Sequence, residues 1–174
     1  SMGCLLGRNY LETELGGSAN KFFAVGAPFQ GSSYAYPIYS GQEVWKLDLV
    51  QKIAATLLLK HCGAPASIKN ILPTYDYLKS NKTYQLKPVS SMNAKNNYLP
   101  TNFSAPFWGV KVGTLAGQGF QTLKNIKVDS PSRQDIRNGK WLDGVPTGQE
   151  TSNQGDGTVL LTSAQVAGAA TNKV

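Results

Sequence analysis

The fold turns on the stretch Ser1–Pro28, SMGCLLGRNYLETELGGSANKFFAVGAP. Its spacing predicts a helix over Met2–Leu15, in which Leu6 and Tyr10 share a face, as do Leu11 and Leu15. Gly3 and Gly7 lie four residues apart inside it. A glycine in a helix interior costs about 1 kcal/mol relative to alanine, so the pair requires a reason, and close approach to a sheet supplies one. Gly16-Gly17 is expected to stop the helix. Phe22–Val25 is apolar without alternation, which suits a strand covered on both faces of a parallel sheet. Helix, short turn and buried strand are half of a βαβ repeat, so the class is α/β, with the preceding strand expected ahead of Ser1.

Further along, EVWKLDLVQKIAATLLLKH places Trp45, Leu49, Ile53 and Leu57 at four-residue steps beside Val50, Ala54 and Leu58. This is the clearest amphipathic helix in the chain and is expected to end near His61, before Gly63 and Pro65. SIKNILPTYDYLKS holds a shorter helix ended by Pro73, and a polar, aromatic-dotted stretch follows it. GVKVGTLAG reads as a second central strand over Val110–Ala116, and the residues from there to Asn153 read as loop with a hairpin. QGDGTVLLTSAQVAGA is a tight turn with a short apolar run, and TNKV begins another strand. The expected organisation is residues 1–28 and 108–174 as core, with 29–107 inserted between two strands as a cap or lid.

The 174 residues are 41% hydrophobic, enough for one sizeable core, and 18 glycines with 9 prolines indicate many turns. No apolar run reaches the length of about 18 residues that a membrane span needs, and no signal peptide is visible at the start. The net charge is +7, but the basic residues are dispersed: seven of 17 lie from Lys46 to Lys87 and four from Lys124 to Arg137. Nucleic acid binding calls for a tight basic stripe or a stacking motif, so nucleic acid is not expected as a partner. Attraction to anionic lipid is compatible with the charge. Cys4 and Cys62 form no CxxC or Cys/His cluster, which argues against a structural metal site.

Ser1-Met2-Gly3 matches the second half of G-x-S-x-G, the turn on which an α/β-hydrolase lifts its nucleophile off the sheet. In that turn the N–H of the next residue, here Met2, points at the developing oxyanion. Ser-Met at a chain start is also the dipeptide left by tag removal. Asp156 sits in Gly-Asp-Gly, a formula for a turn as well as for a catalytic acid. His61 is the one histidine, and it precedes Asp156, whereas these triads run Ser, Asp or Glu, then His. Its position suits a helix C-terminus. Tyr34, Tyr36, Tyr39, Trp45, Tyr75, Tyr77 and Tyr98 either line an acyl-chain pocket or fill a core of the inserted segment.

SMGCLLGRNYLE followed by VGAPFQGSSYA resembles the pattern GHSMGGLVARYYLE followed by GTPHQGS of lecithin:cholesterol acyltransferase-like lipases. SIKNILPTYDYL resembles the family's LLPTYDYL, GTLAGQGFQT its IAGTGxPT, and GDGTVLLTSA its GDGTVPLxSA, in the family's order. Leu160 stands where the family has proline, and Cys4 where it has glycine. The resemblance implies part of an α/β-hydrolase, lacking its N-terminal strands and the end that bears the triad histidine. It implies Ser1 as nucleophile, Met2 in the oxyanion hole, Asp156 as triad acid, and Trp45, Tyr75 and Tyr77 as substrate contacts. The activity implied is serine-dependent hydrolysis or O-acyl transfer on lipid esters, without cofactor or metal, at a membrane or lipoprotein surface and in a secreted or lumenal compartment. The alternative is a non-catalytic fragment or relative that binds lipid or protein.

Overall fold

A computed structural model of the chain describes residues 2–13, 18–100 and 109–173. It is a mixed α/β structure with two sheets, and the chain divides into two units, each built from separated segments. Unit 1 comprises residues 1–30, 100–122 and 151–174, and unit 2 comprises residues 31–99 and 123–150.

Unit 1 begins with α1 (Met2–Leu11), shorter than the expected Met2–Leu15, and continues into β1 (Lys21–Val25). The expected stop at Gly16-Gly17 lies outside the described residues. α1 buries Leu5, Arg8 and Leu11, while Leu6 and Tyr10 are exposed. The Arg8 guanidinium is paired one turn on with Glu12, donating to its two oxygens at 3.1 and 2.8 Å, which offsets the cost of burying a charge. Gly7 has the reason the sequence demanded: a Cβ there would come within 2.7 Å of the Phe22 ring on β1. Gly3 meets nothing of the kind.

β1 pairs in parallel with β4 (Lys111–Ala116), with Phe22 opposite Val112 and Val25 opposite Leu115. β4 pairs in parallel with β7 (Ala170–Lys173), so the sheet order is β1-β4-β7. Parallel pairing agrees with the expectation, but coverage of both faces does not: Ala24 is buried while Phe23 and Val25 are exposed. Ala116 packs with Val159 and with Leu161 and Ala164 of the helical turn α5 (Leu161–Ala164).

Unit 2 holds α2 (Leu49–Cys62), the short α3 (Ala66–Lys69) and a four-stranded sheet. The strands are β2 (Leu78–Ser80), β3 (Leu86–Lys87), β5 (Thr122–Asp129) and β6 (Val145–Ser152), in the order β3-β2-β5-β6. β2 runs antiparallel to β3 and parallel to β5, with Leu78 opposite Ile126. A short helix, α4 (Arg133–Arg137), precedes β6 and is opened by a capping box between Ser132 and Asp135. β5, α4 and β6 occupy the stretch expected to be loop with a hairpin, and residues 123–150 group with 31–99, whereas the sequence placed them with the 108–174 segment. α2 starts later than the sequence pattern, because Asp48 caps it by accepting the Gln51 N–H at 2.9 Å. Lys60 and His61 occupy its last turn, where a basic residue complements the helix dipole.

The core of unit 2 is aromatic. Tyr36, Tyr77, Leu72, Leu78, Leu123 and Ile126 are fully buried and pack with Trp141. Tyr36 meets Tyr77 edge-on at 5.7 Å, and its hydroxyl donates to the Gly144 carbonyl at 2.7 Å. Asp143 is buried beside them; its carboxylate accepts the N–H groups of Asn93 and Ala94, each at 2.7 Å, and pairs with Lys87 at 3.3 Å.

Candidate active site

Asp156 lies on a tight turn after β6. Its Oδ1 accepts the N–H groups of Thr158 and Val159 at 2.8 and 2.7 Å, the bonds a turn aspartate makes. Its Oδ2 lies on the side of Gly26, where a Cβ would stand 3.1 Å from that oxygen. Gly26 has φ +54°, a left-handed value that glycine adopts without strain, and its N–H extends the β1–β4 ladder by donating to Leu115. The carboxylate therefore sits just past the carboxyl end of β1.

The turn is also tied to the residues after β4. Phe120 and Asp156 form a parallel bridge, and the Phe120 N–H donates to Gly155 at 3.1 Å. Buried Thr122 donates its hydroxyl to the Phe120 carbonyl at 2.9 Å and accepts the Gly157 N–H at 2.7 Å. A Cβ on Gly155 would meet the Thr122 hydroxyl and the Val159 carbonyl. Behind the turn, Ser163 on α5 accepts the Gln30 N–H at 3.2 Å. Gly26 and Thr122 went unread as site residues, although both lie inside stretches that carry the resemblance, VGAPFQGSSYA and GTLAGQGFQT.

Ser1 lies outside the described residues. Met2 is exposed and opens α1, so its N–H is among the four that find no acceptor within their own helix. In unit 2, Trp45 is half-buried against the core, with Nε1 donating to Glu43 at 3.3 Å. Tyr75 is also half-buried, its hydroxyl 3.4 Å from Ser33 Oγ. Tyr77 does not fit the substrate contact expected of it: it is fully buried in the aromatic core and presents no surface to a ligand. Burial raises the Tyr36, Tyr75 and Tyr77 phenols, Tyr75 to about 12, so these groups stay neutral.

Two surface grooves belong to unit 2, one beside Lys82, Lys87 and Asp129, the other beside Tyr39, Asn93 and Trp141; Asp156 lines neither. Among the described residues, no group of three His, Cys, Asp or Glu side chains is placed to hold a metal ion, and no helix is long and apolar enough to cross a membrane. No protein-family model matches the chain, and no curated protein matches it.

Proposed function

We propose that the chain carries the nucleophile and acid of a serine esterase of α/β-hydrolase type, a lipase or O-acyltransferase that acts on lipid esters. Ser1 is the nucleophile, the Met2 N–H stabilises the oxyanion, and Asp156 orients the base. The supporting observation is that stretches distant in sequence meet at the turn carrying Asp156: Gly26 after β1 lies beside Oδ2, and Thr122 after β4 accepts the N–H of the neighbouring Gly157. They meet past the carboxyl ends of two parallel strands, the edge where open α/β sheets bind ligands. Oδ1 is occupied in shaping the turn, so Oδ2 is the oxygen assigned to a histidine partner. That histidine is proposed to come from outside these 174 residues, because His61 has its place at the end of α2.

In the proposed reaction the base takes the Ser1 hydroxyl proton as Oγ attacks the ester carbonyl. Collapse of the tetrahedral intermediate expels the alcohol, which receives the proton, and leaves an acyl-serine. Water or a second alcohol then attacks the acyl carbon, frees the serine and completes hydrolysis or transfer. In the intact protein a fluorophosphonate should label Ser1, and Ser1→Ala should abolish the labelling. Asp156→Asn should keep the fold but lower kcat about 10³- to 10⁴-fold, since losing the acid leaves the base in the wrong tautomer. Equal labelling of wild type and Ser1→Ala would overturn the assignment and favour a binding protein without turnover.

A further inference from the structure

The turn that carries Asp156 is gripped on both flanks by one short segment. Ahead of Asp156, the Gly155 carbonyl accepts the Phe120 N–H at 3.1 Å. Behind it, the Gly157 N–H donates to Thr122 Oγ1 at 2.7 Å in a buried bond. Both glycines suit so close an approach. Gly157 has φ +88°, a left-handed value, and a Cβ on Gly155 would stand 2.5 Å from Thr122 Oγ1.

Thr122 is fully buried, and its hydroxyl carries a single proton. A carbonyl only accepts, so that proton is committed to the Phe120 carbonyl at 2.9 Å, and a lone pair faces the Gly157 N–H. The hydroxyl thus has neither a proton nor a surface to offer a substrate. What it supplies is direction. With Gly155 and Gly157 both tied, the backbone at Asp156 has little freedom, and Oδ1 is held by the Thr158 and Val159 N–H groups at 2.8 and 2.7 Å. Oδ2 is left on the side of Gly26, where a Cβ would crowd it at 3.1 Å. Valine has the shape of threonine without the oxygen. In its place the Gly157 N–H would lose this acceptor and the turn would relax. A shift of about 1 Å in a reacting constellation costs on the order of 10²-fold in rate.

We propose that Thr122 is a positioning residue whose hydroxyl sets the Asp156 turn so that Oδ2 faces the base. This role rests on the esterase reading, in which that base accepts the Ser1 proton. The test compares wild type, Thr122→Val and Thr122→Ser in the intact protein, by hydrolysis of a soluble p-nitrophenyl ester and by the rate of fluorophosphonate labelling, with urea unfolding alongside. Thr122→Val should lower kcat and the labelling rate about 10- to 10²-fold and leave KM unchanged, because the hydroxyl touches no substrate. Thr122→Ser keeps the oxygen and its proton and should bring both rates back to within about threefold of wild type. A residue serving stability alone would change the unfolding midpoint and the fraction of protein labelled, but not the rate per folded molecule. Equal rates for Thr122→Val and wild type overturn the role, as does a raised KM with kcat intact, or a serine variant as slow as the valine one. Thr122→Ala replaces Thr122→Val if the latter does not fold, and unfolding of both would assign the hydroxyl to the fold instead. Wild type that is neither labelled nor active overturns the esterase reading itself, an outcome distinct from labelled wild type with an equally fast Thr122→Val.

Discussion

Glu150 on β6 is held by three neighbours: Lys79 donates to Oε1 at 2.8 Å, Asn125 donates to Oε2 at 3.0 Å, and Lys127 stands 3.6 Å away. The Lys79 hydrogen bond, followed by that from Asn125, lowers its pKa from the ordinary 4.5 to about 2. A carboxylate depressed on folding contributes stability above its unfolded value and loses it as pH falls through the folded one. Stability should therefore decline between about pH 4.5 and pH 2, and Glu150→Gln should flatten that part of the profile in urea unfolding measured against pH. None of these partners was legible beforehand, because a charge network across a sheet needs the strand register, and a stretch read only as loop with a hairpin supplies none. Asp156 was legible because Gly-Asp-Gly names a turn and the flanking segments name its neighbourhood. Gly7 was legible for another reason: a glycine that costs a helix stability points to a close neighbour, and Phe22 is that neighbour.

At the scale of elements, α1, β1, α2 and β4 were foreseen, since runs of apolar residues with a clear period survive almost any tertiary setting. β6 was not. VPTGQETS carries a proline and a glycine and has no apolar residue after its first two, which reads as loop. It is tolerated as a strand because it lies at the edge of its sheet, where the ladder is one-sided. The period of α2 showed that an apolar face exists but not what it faces, and the sequence alone does not distinguish a stripe packed on a core from one turned to solvent. β1 offers an element-level prediction. It is the edge of the order β1-β4-β7 among the described residues, and it exposes Phe23 and Val25. Such an edge recruits further strands, so the 174 residues alone should self-associate, and Phe23→Lys should raise the monomer fraction seen by size-exclusion chromatography with light scattering.

At the scale of the whole molecule, the boundary inside residues 108–174 escaped the sequence reading because it falls within continuous strands: β5 and β6 each pass from one unit's residues to the other's. No linker composition marks such a passage. Unit 2 is joined from two segments by β2 against β5, by Tyr36 reaching Gly144, and by Asp143 receiving Asn93 and Ala94. Asp143→Ala leaves the Asn93 N–H and the buried Ala94 N–H without their acceptor and Lys87 without its anion, which should cost about 1–3 kcal/mol and lower the midpoint of urea unfolding. Substitution at Lys87 alone, at the exposed side of the same group, should cost less.

The two-segment construction of unit 2 also sets a timetable for synthesis. A ribosome finishes Leu78 roughly fifty residues before the Ile126 that completes its ladder, an interval of a few seconds at ordinary elongation rates. During that wait the aromatic side chains of residues 31–99 have emerged without the floor they will rest on. The nascent polypeptide is then a substrate for chaperones, and codons that slow translation ahead of residue 123 would lengthen its exposure.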